Sequence, residues 1–146
     1  MTKRTEPDLL ALDRQVCFAL AVASRSVIGL YRPLLDPMRL THPQYLVMLA
    51  LWERSPRSVK DLSGALRLEP ATLSPLLKRL EAVGYVTRER SGADERVLEV
   101  ELTRAGRALR AKAEKIPPAI VDRLGMDMSE LLELHRVLTD VIAATE

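Results

Sequence analysis

The chain has 146 residues, 47% of them apolar and 29% charged, with a formal net charge of +2, which is the composition of one globular domain rather than of a disordered chain. No apolar run approaches the roughly 20 residues that span a bilayer, and residues 1–8 lack the apolar core of a secretory signal, so we expect a cytoplasmic protein without a membrane partner. The single cysteine excludes an internal disulfide, and the small net charge means that a nucleic-acid partner must be argued from where the basic residues lie.

Two helices are predicted in the first third of the chain. The first should open at Pro7-Asp8, because proline suits the first helical position, and should break near Pro33. Cys17 then lies in the third turn of this helix, where the positive end of the helix dipole stabilises a thiolate only weakly. Thr41-x-x-Gln44 is a capping box, which predicts a second helix that runs to about Glu53.

The order predicted for the middle of the chain is helix, tight turn, helix and two-stranded hairpin. The elements are helices over 58–66 and 70–83 and strands over 85–90 and 96–102. Ser58-x-x-Asp61 is a capping pattern, and Gly84 suits a left-handed helix C-cap. Pro75 removes a backbone hydrogen bond inside the second helix and should bend or tighten its first turns.

Two more helices are predicted to close the chain. Thr103 should cap a helix to about Lys115, and Pro117-Pro118 should interrupt the chain there. Asp127-x-x-Glu130 is a further capping box and opens the last helix. The predicted fold is therefore mainly α with a small β-hairpin wing, in the order of a winged helix-turn-helix.

A winged helix-turn-helix places one helix in a DNA major groove, and the helix over 70–83 has the side chains for this role. Hydroxyl groups reach base edges and phosphates, and basic side chains neutralise phosphates. An arginine at the hairpin tip suits a minor groove, and a neighbouring aspartate can hold its guanidinium. For any one residue a solvated surface position is the commoner explanation, but the ordered set favours DNA. The predicted DNA-binding residues are Thr72, Ser74, Lys78, Arg79, Arg88, Arg90, Asp94 and Arg96.

These features together resemble the MarR-type winged-helix family. The resemblance rests on the first long helix, the Asp94-Glu95-Arg96 wing, Leu102-Thr103-x-x-Gly106 and the long C-terminal helix. It implies one domain over residues 1–146, in which 8–35 and 104–146 hold dimerisation helices and 41–103 form the DNA-binding region. The apolar surface predicted at 8–30 and 127–145 supports a homodimer. A two-fold dimer implies a pseudo-palindromic double-stranded operator with half-sites about 10 bp apart.

Three further segments resemble the organic-hydroperoxide-resistance branch of that family, in its one-cysteine type. They are Leu12-x-x-Gln15-Val16-Cys17-Phe18, Tyr31-Arg32-Pro33-Leu34-Leu35 and Thr41-His42-Pro43-Gln44-Tyr45-Leu46. The resemblance implies that Cys17 is a thiolate that receives hydrogen bonds from tyrosines across the dimer interface. Tyr31 matches the first tyrosine, whereas His42 stands where the branch has the second. An imidazole can still donate, and as a cation it would stabilise a thiolate more than a phenol does. The alternative is that His42 is a solvent-exposed residue in the first turn of the second helix, where a positive charge is slightly unfavourable.

The implied function is a repressor that releases its operator when an organic hydroperoxide oxidises Cys17 to the sulfenic acid. The chain has no second cysteine, so that sulfenic acid can condense with a small thiol or a backbone nitrogen, or be oxidised further. The resemblance to the one-cysteine type implies a mixed disulfide with a low-molecular-weight thiol. Phe18, Tyr45 and Trp52 are candidate walls of the peroxide pocket, although each also suits a plain core position.

Two rival functions are weighed against the redox repressor. In the first, Cys17 is inert and a non-covalent small-molecule ligand relieves repression. In the second, the chain is a thiol peroxidase, which would need a βαβ pattern that the sequence lacks, so we expect no enzyme. His42 and His135 are isolated in the sequence, and we expect neither a metal nor a cofactor.

Overall fold

A computed structural model describes residues 8–146, which form seven α-helices and a small sheet. The helices are α1 (Val16–Leu35), α2 (His42–Glu53), α3 (Val59–Leu66), α4 (Pro70–Val83), α5 (Arg104–Ala113), α6 (Ile116–Leu124) and α7 (Met128–Ala144). The strands are β1 (Arg57–Ser58), β2 (Val86–Arg90) and β3 (Leu98–Leu102), and 3₁₀ turns span Leu12–Arg14 and Asp36–Met38. The predicted mainly α fold with a small β wing is confirmed.

The predicted helix caps are the most accurate part of the sequence interpretation. The Thr41 hydroxyl accepts from the Gln44 N–H, and the Gln44 side chain accepts from the Thr41 N–H at 3.0 Å. Asp127 and Glu130 form the same reciprocal pair at the start of α7. Gly84 ends α4 with φ of 94°, in the left-handed region that glycine enters without steric cost. Local hydrogen bonds therefore set the starts of α2 and α7 and the end of α4.

The first helix differs from its prediction at both ends. It begins at Val16 rather than at Pro7-Asp8, of which Pro7 lies outside the described residues. Gln15 is extended (φ −79°, ψ 122°), and its side-chain amide donates to the carbonyls of Leu9 and Ala11, which holds residues 9–15 in a turn instead of a helix. The helix then continues through Pro33 to Leu35, a buried residue whose packing in the core offsets the lost backbone bond.

The wing is a three-stranded antiparallel sheet, where the sequence predicted two strands. Its order is β1-β3-β2, so that β3 is central and pairs with β1 through Arg57 and Ser58. Two residues are too few to show a strand periodicity, which is why β1 was missed. The hairpin strands are also shorter than predicted, because the backbone N–H of Arg96 bonds the Asp94 carboxylate and turns the chain there.

Helix α6 was absent from the prediction, which treated Pro117-Pro118 as an interruption. Both prolines lie in the first turn of α6. The first N–H groups of a helix have no partner within the helix, so prolines at these positions lose little. Ile116 and Ile120 of α6 are buried in the core.

The core lies between α2, α3, α4, α5, α6 and the sheet; α1 joins it only through its C-terminal part, at Leu30, Tyr31, Leu34 and Leu35. The only buried residue of α1 is Leu35, and α7 has none. Phe18, Ile28, Leu132 and Val141 are between 40% and 63% exposed. Within the described residues, the core therefore leaves the apolar faces of α1 and α7 uncovered.

One expectation about apolar runs was wrong. The segment Val16–Met38 contains an 18-residue window with a mean hydropathy of 1.2 and is long and apolar enough to cross a membrane by length and composition alone. Arg25 and Arg32 lie within it, and charged side chains are costly in the hydrocarbon core. A partner helix with a complementary apolar face covers such a surface without burying these charges in lipid.

The residue pair Tyr85 and Gly106 joins the wing to α5. The Thr103 N–H donates to the Tyr85 carbonyl at 3.0 Å, and the Tyr85 hydroxyl donates to the Met38 carbonyl at 2.7 Å. A Cβ at Gly106 would overlap the Tyr85 carbonyl oxygen. Only glycine lets α5 approach the end of α4 this closely.

We therefore expect Gly106→Ala to destabilise the fold by about 2–3 kcal/mol, because the added methyl group meets backbone that cannot move aside. Gly64→Ala is the matched control, since a Cβ there meets nothing within 4 Å and alanine favours the helix by about 0.5–1 kcal/mol. Urea unfolding of both variants measures the difference. Equal stability of the two alanine variants would contradict the close approach.

Candidate DNA interface and redox site

Helix α4 buries one face and presents the other to solvent. Leu73, Leu77 and Leu80 are at most 1% exposed and pack in the core. The predicted DNA-binding residues of this helix all lie on the exposed face, and they are Thr72, Ser74, Lys78 and Arg79. The helix stays continuous through Pro75. We call α4 the reading helix from here on.

The wing tip carries a paired arginine. The Arg96 guanidinium donates to both carboxylate oxygens of Asp94 at 3.2 and 3.3 Å, and its side chain is 91% exposed. The hydrogen bond from Arg96 lowers the pKa of Asp94. The aspartate thus orients a guanidinium that projects from the tip of the hairpin.

Of the two other wing arginines, only one is displayed to solvent. Arg88 is half-buried and forms an ion pair with Glu81 of the reading helix at 3.3 Å, which lowers the pKa of Glu81. Its guanidinium fastens the wing to α4, so the expectation that Arg88 faces DNA is corrected. Arg90, at the end of β2, is exposed and forms no ion pair within residues 8–146.

A charge network at the start of α3 was missed by the sequence analysis. Arg57 donates to the Asp61 carboxylate at 2.6 Å and to the Ala50 carbonyl at 3.0 Å, while Arg54 donates to the same carboxylate at 2.7 Å. The hydrogen bond from Arg57, followed by the charges of both arginines, lowers the pKa of Asp61. The network fastens α3 to the end of α2. Only the loop conformation brings these residues together, so no local pattern revealed it.

Lys60 is a second residue that the sequence analysis overlooked. It lies in the first turn of α3, is exposed, and forms no ion pair among the described residues. In a helix-turn-helix the first helix crosses the DNA backbone. The sequence signal that could have identified Lys60 was its position two residues after Ser58, the predicted cap of this helix.

Cys17 lies in the first turn of α1 and is exposed, which corrects the expectation of a third-turn position. Gln15 occupies the N-cap position, but its side chain does not cap the helix. The free N–H groups of this first turn and the helix dipole therefore interact favourably with an anion at residue 17.

Tyr31, His42 and Tyr45 form an aromatic cluster at the other end of α1. The Tyr31 and His42 rings meet edge-on with centroids 5.0 Å apart, and the Tyr31 and Tyr45 centroids are 5.8 Å apart. Burial raises the pKa of Tyr31 and, with the Tyr31 charge as a smaller cause, that of Tyr45. Burial also lowers the pKa of His42, so its imidazole is neutral near pH 7. Of the neutral and cationic forms considered for His42, the lowered pKa favours the neutral one.

A single chain does not bring Cys17 to this cluster. Residues 17 and 31 lie on the same helix, about 21 Å apart along its axis. Phe18 stays beside Cys17 and is 40% exposed, whereas Tyr45 and Trp52 line a groove of about 360 Å³ between α2, α5 and α6. The Trp52 indole donates to the Gly106 carbonyl at 2.9 Å. Of the three predicted pocket walls, Tyr45 and Trp52 therefore lie together, and Phe18 is separated from them within one chain.

Three known proteins are similar to the chain over most of its length. The HTH-type transcriptional regulator TtmR of Methylorubrum extorquens (strain PA1) is 42% identical over 144 residues, which are 99% of this chain and 72% of TtmR. The organic hydroperoxide resistance transcriptional regulator of Bacillus subtilis (strain 168) is 42% identical over 131 residues, 90% of this chain and 89% of that protein. Reduced AbfR bound to DNA matches with a TM-score of 0.80 at 34% identity over 92% of each chain. AbfR, a protein of Staphylococcus epidermidis, is also known in a disulfide form and in an overoxidised form bound to DNA.

A reading helix beside a small sheet with a basic tip is the architecture of winged helix-turn-helix transcriptional regulators. The family described as transcriptional regulator SarA/Rot matches residues 29–113, and the chain belongs to this MarR-type family. The predicted resemblance to the organic-hydroperoxide-resistance branch is confirmed by the Bacillus subtilis relative. The expectation of a regulator rather than a thiol peroxidase is confirmed by the family.

The Asp61 network makes the stability of the fold depend on pH. The pKa of Asp61 is lower in the folded than in the unfolded chain, so its contribution is present above the unfolded pKa and is lost as the pH falls through the folded pKa. We expect Asp61→Asn to have a lower free energy of unfolding than the wild type at pH 7. This difference should disappear as the pH falls below about 4. Urea unfolding at both pH values measures it. Asp122→Asn, an exposed site on α6, is the control, and an equal gap at both pH values for Asp61→Asn would contradict the role.

Proposed function

We propose that the protein is a cytoplasmic homodimeric repressor that binds double-stranded DNA and releases its operator when an organic hydroperoxide oxidises Cys17. One observation carries the proposal. An exposed cysteine in the first turn of α1 lies about 21 Å along that helix from Tyr31, which packs with His42 in a half-buried cluster. Only a second copy of the chain can bring these two features together.

The uncovered helices support the homodimer. The apolar faces of α1 and α7 find no cover in their own chain, and uncovered apolar surface of this extent is typical of an interface. In an antiparallel pair of α1 helices, a two-fold axis near Ser24 sets Cys17 of one copy level with Tyr31 of the partner subunit. The small residues Ala21, Ala23 and Ser24 in this region permit a close approach.

In this dimer the neutral His42 and the Tyr31 hydroxyl of the partner subunit donate hydrogen bonds to the Cys17 thiolate. The apolar side chains of Phe18, and of Tyr45 and Trp52 in the partner subunit, provide walls for the organic group of the peroxide. Phe18 is thereby brought to the two walls that already lie together in the partner subunit. AbfR, known in reduced, disulfide and overoxidised forms, supports redox chemistry as the type of signal.

The chemistry follows from the thiolate as nucleophile. The Cys17 sulfur attacks one peroxide oxygen, the O–O bond breaks, and the peroxide leaves as an alcohol after it takes up a proton. Cys17 becomes a sulfenic acid. A low-molecular-weight thiol then attacks the sulfenic sulfur, a disulfide forms, and the hydroxyl group leaves as water. The bulky adduct disturbs the packed α1 interface, and about 2.7 kcal/mol of this strain lowers DNA affinity a hundredfold.

DNA is read by two parts of each subunit. The reading helix offers Thr72, Ser74, Lys78 and Arg79 to the major groove of a pseudo-palindromic operator, and Arg96 enters the minor groove. Lys60 and Arg90 add contacts to the DNA phosphates. Arg88 acts indirectly, because its pair with Glu81 sets the angle between wing and reading helix.

We expect Arg96→Ala to weaken operator binding at least tenfold and Lys78→Ala to lower the slope of log affinity against log salt by about one unit, since one phosphate contact is lost. Arg123→Ala, on the far helix α6, is the control and should change neither. Fluorescence anisotropy over a salt series gives both quantities. Wild-type affinity and slope in the first two variants would exclude this reading surface.

We expect Cys17→Ser to bind the operator with wild-type affinity and to remain bound when cumene hydroperoxide is added, because the hydroxyl group is not oxidised. Wild-type protein should dissociate under the same conditions in the presence of a small thiol. Gel-shift titration together with intact mass measures both steps. Release of Cys17→Ser by the peroxide would refute redox sensing and favour a non-covalent ligand.

A further inference from the structure

A cavity of about 580 Å³ lies between α1 and the start of α2, next to the aromatic cluster. His42 lines it, together with apolar atoms of Ile28, Leu35 and Leu40. Two arginines of α1, Arg25 and Arg32, line the same cavity. They are seven residues apart, which places them on one side of the helix.

The charges around this cavity do not balance. Neither Arg25 nor Arg32 forms an ion pair within residues 8–146. Asp36 is the one carboxylate among the lining residues, and burial keeps His42 neutral. Two exposed arginines and one carboxylate thus line the cavity, and guanidinium groups bind carboxylates through paired hydrogen bonds.

We propose that this cavity binds the carboxylate of the small thiol that condenses with oxidised Cys17, so that the switch selects carboxylate-bearing thiols. The inference rests on the proposed function, in which Cys17 of one copy lies against Tyr31 and His42 of the partner subunit. The sulfenic acid then forms at the mouth of a cavity that holds two unpaired guanidinium groups. A thiol anchored there presents its sulfur to the sulfenic sulfur.

The step balances without a further reagent. The thiol sulfur forms a bond to the Cys17 sulfur, the S–O bond of the sulfenic acid breaks, and the hydroxyl group takes the thiol proton and leaves as water. The peroxide supplied the two oxidising equivalents in the preceding step. The arginines take no part in bond making and act by raising the local concentration of the anionic thiol.

The experiment compares three thiols of similar size on full-length protein oxidised with cumene hydroperoxide. Mercaptoacetate is anionic, 2-mercaptoethanol is neutral and cysteamine is cationic. Rates of mixed-disulfide formation are followed by quenched-flow intact mass. Each rate is divided by the rate of the same thiol with the neutral 2,2′-dipyridyl disulfide, which removes differences in thiolate fraction and nucleophilicity.

We expect the normalised rate to be about tenfold higher for mercaptoacetate than for 2-mercaptoethanol and lowest for cysteamine. Raising the salt from ~0.05 M to ~1 M should shrink this preference. In the double variant Arg25→Gln/Arg32→Gln the preference should disappear while the rate with 2-mercaptoethanol is kept. Arg123→Gln is the matched control and should retain the wild-type order.

Equal normalised rates for the three thiols in wild-type protein, or a preference that salt leaves unchanged, would overturn the inference even if the double variant does not fold. Those outcomes leave the redox switch itself intact, because Cys17 still gains one oxygen atom by mass. Absence of that oxygen after peroxide would instead overturn the proposed function, and the thiol selectivity with it.

Discussion

The backbone and side chain of Tyr85 form the contact on which the rest of the fold depends. Its N–H donates to the Leu80 carbonyl at the end of the reading helix, and its carbonyl accepts from Thr103 at the start of α5, both at 3.0 Å. Its hydroxyl reaches the Met38 carbonyl after α1, and Gly106 packs against its carbonyl oxygen. The reading helix, the wing, α5 and the turn after α1 therefore meet at one residue.

A second constraint is the incomplete covering of α1 and α7. Burial of their apolar faces requires another protein surface, and a two-fold dimer supplies it with the same residues twice. In the dimer proposed above, the same arrangement joins the first turn of one α1 to the aromatic cluster at the far end of the other, and sensing and dimerisation share one interface.

The parts that could be predicted are those set by neighbours in the sequence. Capping at Thr41, Ser58, Thr103 and Asp127 depends on hydrogen bonds between residues three apart. The two hairpin strands were predicted from the alternation of apolar and polar residues. The predictions failed where a longer contact overrides a local preference. The Gln15 amide bonds keep the preceding residues out of α1, and the pairing of β1 with β3 depends on a partner some forty residues away.

The sequence by itself determined the order of a winged helix-turn-helix, the exposed side chains of the reading helix and the single cysteine that resembles a redox sensor, because periodicity and capping act over one or two turns. Tertiary structure alone decided that Cys17 lies at a helix N-terminus, that burial lowers the pKa of His42, and that Arg88 pairs with Glu81. It also decided that Arg25 and Arg32 share a cavity with His42. Burial and ion pairing depend on which distant residues become neighbours, and only the packed chain specifies that.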